Sequence, residues 1–374
     1  MPAGFSLSRA TVLLATIGLL VLAACQTTSS GSPAASSGGS TAEGPSGAPT
    51  TGDLTVIDWF GYETTDWYAD FAAAYPDVKV NFDLWNSDAE VYQSLKGGTP
   101  ADIVHPYTGW LKFYVDEGLV QPIDTSKLKN WDKVRDDLKA LGEYNGKQYF
   151  IPWDWGFSSV LYRTDKIATV DSWDALLSTD ACKHISMWDD GPGAVTVSSY
   201  IHDYEETAIT DAQLADIQAE WRKQRDCNLF YWSTLSDLEQ GFINDEVWVA
   251  YAWQGSYAVV AADGTFPVAY ADPKEGRNSW VGMYGITSDT KNLDLALAFL
   301  DGKLGDETSA HLVNDYYYGT SNKDVMAGIT DQNLIDAFSL NDPTVLQRTN
   351  FTPDITADQR DAWTTMWTEV QSGP

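Results

Sequence analysis

Apolar and polar positions alternate in LTVIDWF (54 to 60), the two-residue period of a half-buried strand. Over 65–75 the period lengthens to that of an amphipathic helix, closed by Pro76. Alternation returns in VKVNFDLW (78 to 85). A helical pattern follows over Asp88–Lys96, then a short apolar strand, ADIVHPY (101 to 107), and another helix, GWLKFYVDEGLV (109 to 120). Strand, helix, strand, helix, strand in this order predicts an α/β fold with a parallel sheet and helices on its faces. Such sheets bind ligands beyond the carboxyl ends of their strands. The rule singles out Asp58, Trp59, Phe60 and Tyr62 after the first strand, and Tyr107 and Thr108 after the third.

Farther along, FIPWDWGFSSVLYR (150 to 163) is too long for an ordinary strand and reads as one that leaves one sheet and enters another, with Gly156 as a bend. HISMWDDGPG (184 to 193) reads as a strand ending in a polar turn, and 211–225 as a helix. VWVAYAWQGSYAVVAA (247 to 262) runs from strand into helix, with Trp253 to Ser256 at the junction. A second crossing strand is expected in WVGMYGIT (280 to 287), before a helix over 293–304. No internal repeat is visible. At 374 residues with 44% hydrophobic content, two core-bearing lobes are expected.

The N-terminus stands apart. Arg9 precedes TVLLATIGLLVLAA (11 to 24), an apolar run too short to span a bilayer and ending in small residues, so residues 1–24 read as a secretory signal. LAAC looks like the lipobox of a bacterial lipoprotein, which implies cleavage before Cys25 and acylation of its thiol; an ordinary signal with an incidental Cys25 is the alternative. Residues 25–52 are almost wholly Ser, Gly, Ala, Thr and Pro, a composition that buries no core and acts as a flexible tether. The chain is thus expected outside the cytoplasm, lipid-anchored through Cys25. In that oxidising compartment Cys182 and Cys227 are expected to pair, the alternative being two separately buried thiols.

With 53 acidic and 23 basic residues the formal charge is -30, which argues against nucleic acid and against electrostatic adhesion to anionic lipid. It suits a cationic partner, although most of these carboxylates must form solvated surface. His105, His184, His202 and His311 show no metal-ligand spacing, no GxSxG elbow occurs, and GPGAVT (191 to 196) lacks the third glycine of a dinucleotide loop. Neither a metal nor a cofactor is expected. Carboxylate pairs such as Asp189–Asp190 and Glu205–Glu206 keep a secreted glycoside hydrolase open as an alternative. The distinctive signal is aromatic: Trp59, Tyr62, Tyr107, Trp153, Trp155, Trp188, Trp253, Trp280 and Tyr318 lie at segment ends, often beside Asp or a Gly-polar turn. An indole face attracts an ammonium group by about 0.5–2 kcal/mol per contact. Core packing explains any one of these rings, but not a set gathered at strand ends.

From Asp53 onward the chain resembles the spermidine/putrescine-binding proteins, extracytoplasmic receptors of polyamine ABC importers within the periplasmic-binding-protein superfamily. The resemblance lies in ordered pieces: IDWFGY, ADIVHPYTGWLKFYVDEGLVQPID, YFIPWDWG, WDD, YAWQGSYA, SWVGMYGI and YYYGTSN. It implies a two-lobed type II fold, each lobe a mostly parallel sheet flanked by helices, with residues 53–156 and 281–320 in one lobe and 157–280 and 321–374 in the other. A cleft between the lobes would close on a small cationic amine such as putrescine or spermidine. The protein would act as a non-enzymatic, monomeric receptor that delivers its solute to an ABC permease.

By resemblance the ligand-binding positions fall on Trp59, Tyr62, Tyr107, Asp190, Trp253, Trp280, Tyr318 and Gln347. The chain departs from the family at Gly193 and Gly282, where acids are usual, and at Gly109, where an aromatic is usual. A replacement counter-charge would come from Asp154, Asp58 or Asp189, with Trp155 beside Asp154 in the cleft; the alternative is that both tryptophans of IPWDWG pack into a lobe while Asp154 caps a hinge turn. A quaternary amine or a sugar remains an alternative solute.

Overall fold

The period of two in the first strand, Thr51–Trp59, sends Leu54 and Val56 to one side and Ile57 to the other, and each side is covered by its own apolar cluster. The computed structural model describes residues 47–85, 87–342 and 344–373; the signal, Cys25 and the tether up to residue 46 lie outside it. Thr51–Trp59 pairs in parallel with Asp77–Trp85 and with Ile103–Val104. The expected helix over 65–75 forms as a 3-10 turn, Thr65–Tyr68, running into Ala69–Ala74. Ile103–Val104 of ADIVHPY joins the ladder and Tyr107 makes an isolated antiparallel bridge to Gly282, with Pro106, which has no N–H to donate, between them. The helix expected over 109–120 is confined to Leu111–Asp116, since Gly109 sits at φ +91° and starts a turn.

One sheet of twelve strands runs through the molecule. Its main path is Asp77–Trp85, Thr51–Trp59, Ile103–Val104, Asn278–Thr287, Phe150–Arg163, Val249–Trp253, Ile185–Trp188 and Asn228–Trp232. Parallel pairs lie at both ends. They are joined by two long antiparallel strands: Phe150–Arg163 pairs with Asn278–Thr287 through residues 150–158 and with Val249–Trp253 through 158–162. All of Phe150–Arg163 is buried, as a strand covered on both faces must be. The result is two lobes, each a largely parallel sheet with helices packed on it.

The register of the two crossing strands slips by one residue. Gly282 faces Asp154 and Met283 faces Pro152, which leaves Trp153 unpaired as a β-bulge. Without a bulge Trp153 and Trp155 would share a face. Instead Trp153 packs with Tyr62, Trp67 and Tyr284, and Trp155 packs in a different cluster with Phe157, Val281, Met326 and Phe338. Both rings are core.

Residues 189–193 are more than a turn. Asp190 is the N-cap of a helix, Gly191–His202, with Pro192 in its first turn. On this helix and on Asp211–Arg225 lies the C-terminal helix, Ala357–Ser372, opened by a capping box between Thr356 and Gln359. A disulfide joins Cys182 to Cys227, ahead of the adjacent strands Ile185–Trp188 and Asn228–Trp232. Among the described residues no helix is long and apolar enough to cross a membrane.

Candidate functional site

Strand carboxyl ends from both lobes meet around a cavity of about 730 Å³. Trp59 ends the first strand, Tyr107 follows the third, and Trp188 and Trp253 end strands of the other lobe, while Trp280 comes from a crossing strand. Their rings form a continuous wall. Centroid separations are 5.4 Å from Trp59 to Tyr107, 5.6 Å from Tyr107 to Trp280, 6.4 Å from Trp280 to Trp253 and 5.7 Å from Trp253 to Trp188. Tyr318 meets Trp280 edge-on at 5.3 Å. All five contacts are T-shaped, the edge-to-face arrangement that aromatic pairs favour.

Beneath this wall lies a buried charge network. The Tyr107 hydroxyl donates to Asp154 Oδ2 at 2.9 Å, and Asp154 Oδ1 lies 3.1 Å from His105 Nε2. His105 Nδ1 lies 2.8 Å from Asp58 Oδ1, and Tyr284 donates to Asp58 Oδ2 at 2.7 Å. Only an imidazolium can donate to two carboxylates at once. Burial works against that charge, but Asp58 and Asp154 outweigh it and raise the pKa of His105. Burial would likewise raise Asp58, yet the charge and hydrogen bond of His105, with Lys303 and Tyr284, hold it below the ordinary range. Lys303 is buried with its Nζ 3.8 Å from the Trp153 ring centroid, and burial pulls its pKa down to about 7. Since Tyr107 gives its proton to Asp154, the Tyr62 hydroxyl 3.2 Å away donates to the Tyr107 oxygen. Asp154 thereby reaches the cavity wall through one phenol.

Gly193 and Gly282 each have a physical reason to lack a side chain. A Cβ on Gly282 would lie 1.9 Å from Asp154 Oδ1 and 2.6 Å from His105 Nε2, so the Asp154 carboxylate, from the facing position of the neighbouring strand, fills that space. A Cβ on Gly193 would lie 3.0 Å from the Trp188 ring.

Three other carboxyls line the cavity. Burial pushes Asp88 up to about 7, against the backbone N–H of Tyr107 and the charge of Arg360. Burial pushes Asp190 up to about 6, against the Gly193 N–H, which it accepts at 2.6 Å. Burial pushes Glu206 up to about 7, against a hydrogen bond from Thr196. Arg360 is the basic residue among the lining groups, its guanidinium 4.5 Å from the Trp110 ring centroid.

Of the residues singled out in the sequence, Trp59, Tyr62, Tyr107, Asp190, Trp253, Trp280 and Tyr318 line this cavity. Asp154 is one hydrogen bond behind it. Trp155 and Gln347 do not line it. The bulge turns Trp155 into the core, where its Nε1 donates to the Thr320 carbonyl at 2.9 Å, and Gln347 is exposed on a 3-10 turn, Val345–Arg348. Sequence reasoning missed Asp88, Trp110 and Arg360, and met Glu206 only as half of a carboxylate pair. Asp88 carried one legible signal, its place at a helix start after a strand; Arg360 carried none. Among the described residues no His/Cys/Asp/Glu group could hold a metal.

The bacterial extracellular solute-binding protein family matches this chain over residues 66–337. The putrescine-binding periplasmic protein PotF of Escherichia coli (strain K12) is 26% identical over 341 residues, 86% of this chain and 91% of that protein. The putrescine-binding periplasmic protein SpuD of Pseudomonas aeruginosa is also 26% identical, covering 86% of this chain and 92% of its own. The fold is similar to that of the spermidine/putrescine ABC transporter substrate-binding protein PotD from Streptococcus pneumoniae. That match has a TM-score of 0.71 at 18% identity and covers 86% of this chain and 99% of that one.

Proposed function

Because the chain belongs to the bacterial extracellular solute-binding protein family, we propose that it captures a small cationic amine between its lobes and delivers it to the permease of an ABC importer. Putrescine and spermidine are the class named for its relatives. The observation that carries this reading is the union of a continuous aromatic wall with three carboxyls, Asp88, Asp190 and Glu206, all held partly protonated by burial. Buried carboxylates without a cation are costly, and an ammonium group would relieve that cost while also contacting the aromatic rings.

Trp59, Tyr62, Tyr107, Trp253, Trp280 and Tyr318 would enclose the alkyl chain, with Asp190 and, through Tyr107, Asp154 holding the ammonium. Closure would bend the molecule at the two crossing strands. Acylation of Cys25 would hold the receptor at the membrane, with the 25–52 tether giving it reach.

The test is a thermal-shift panel of polyamines, quaternary amines and oligosaccharides, because a ligand that binds only the native state raises its melting temperature. Amines are expected to raise it. A response to oligosaccharides alone would replace this reading with a sugar receptor, and turnover of them would make the protein a glycoside hydrolase.

A further inference from the structure

The guanidinium of Arg360 stacks on Trp110 and lies in the field of four carboxyls, Asp88, Asp190, Asp354 and Asp361, yet is within ion-pair distance of none of them. It sits in the first turn of Ala357–Ser372, where the helix dipole disfavours a cation. It makes no hydrogen bond or ion pair to any described residue. It is nevertheless partly buried against the cavity, stacked on Trp110 and with Nη2 3.9 Å from where a Cβ on Gly109 would be. A side chain there would also meet the Pro353 carbonyl at 3.1 Å, so the space beside Trp110 is given over to the guanidinium.

A partly desolvated guanidinium with five N–H donors and no acceptor is poised for a planar anion, whose two oxygens match its fork. Neutralising Asp88 or Asp190 is a weaker account. Both carboxyls feel the charge of Arg360, yet neither is within ion-pair distance of it, and both remain raised. We propose that the solute is a zwitterion whose carboxylate pairs with Arg360 while its ammonium lies against the aromatic wall. This rests on the amine reading above and narrows it, from a di- or polyamine to an amino acid-like molecule.

The experiment is calorimetric titration of the mature chain with 4-aminobutanoate and 5-aminopentanoate, with putrescine and cadaverine as the diamines of matching length, and with butanoate. The amino acids are expected to bind more tightly than the diamines. Arg360→Gln should weaken the amino acids by roughly 10- to 100-fold and leave the diamines unchanged or tighter, while Arg360→Lys retains part of the affinity. The wild-type ranking decides the matter even if a variant fails to fold. Diamines binding more tightly than amino acids in the wild type would overturn the carboxylate pairing and leave the amine reading standing. Butanoate binding as well as 4-aminobutanoate would sink the amine reading and keep Arg360 as an anion site. Binding of none of these solutes would remove both.

Discussion

Asp190 does two jobs with two oxygens. Oδ2 caps the Gly191–His202 helix through the Gly193 N–H, and its charge faces the cavity. Asparagine caps a helix as well as aspartate does, so Asp190→Asn separates the roles. Unfolding free energy should change by no more than about 1 kcal/mol, while affinity for an amine solute falls by roughly 10-fold or more. Chemical denaturation and calorimetry on the same preparation check both, and an unchanged affinity would take Asp190 out of the site. Trp153 and Trp155 teach the opposite lesson. Their composition is that of a binding segment, yet a single unpaired residue in the register sends both into the core and leaves only the aspartate between them near the cavity.

At the scale of elements, the period of two and the unusual length of 150–163 were enough to recognise strands and crossings, because buried strands leave a strong local signature. The helix at Gly191–His202 was read as a turn although Asp190 and Pro192 are start signals, since its glycines and small residues mask the helical period. The bulge was not legible: it exists only in the pairing of Phe150–Arg163 with Asn278–Thr287. Nor was Arg360, whose position depends on the C-terminal helix docking across Gly191–His202. The aromatic wall was legible because strand carboxyl ends are a rule of the fold, whereas Trp155 and Gln347, taken from resemblance and neighbourhood, fell outside it. The crossing-strand pair also makes a prediction. Gly282→Asp should lower stability by about 1–3 kcal/mol, because its Cβ would collide with Asp154 and bring two carboxylates together. Combining it with Asp154→Gly should recover part of the loss in denaturant melts; a stable single variant would refute the space-filling account of Asp154.

Across the whole molecule, the formal charge of -30 is mostly surface carboxylate that is already ionised well below neutrality, so it changes little between about pH 5 and pH 7. Among the groups whose titration burial moves into that window, Asp88, Asp190 and Glu206 line the cavity. Asp88 at about 7, Asp190 at about 6 and Glu206 at about 7 all stand above their unfolded values because burial penalises the charge. The folded state therefore holds more protons than the unfolded state across the window. Their contribution to stability is complete below the unfolded pKa and is lost as pH rises through the folded values. His105, also raised, acts in the same direction, and Lys303, lowered to about 7, acts in the opposite one only above that pH. The ligand-free protein should thus melt at a lower temperature at pH 7 than at pH 5. A bound ammonium reverses the cost by giving the ionised carboxylates a partner, so the rise in melting temperature produced by a saturating amine should be larger at pH 7 than at pH 5. Asp88→Asn should flatten both trends. A ligand-induced shift that is the same at both pH values would mean that these carboxyls do not meet the solute, whatever else binds in the cavity.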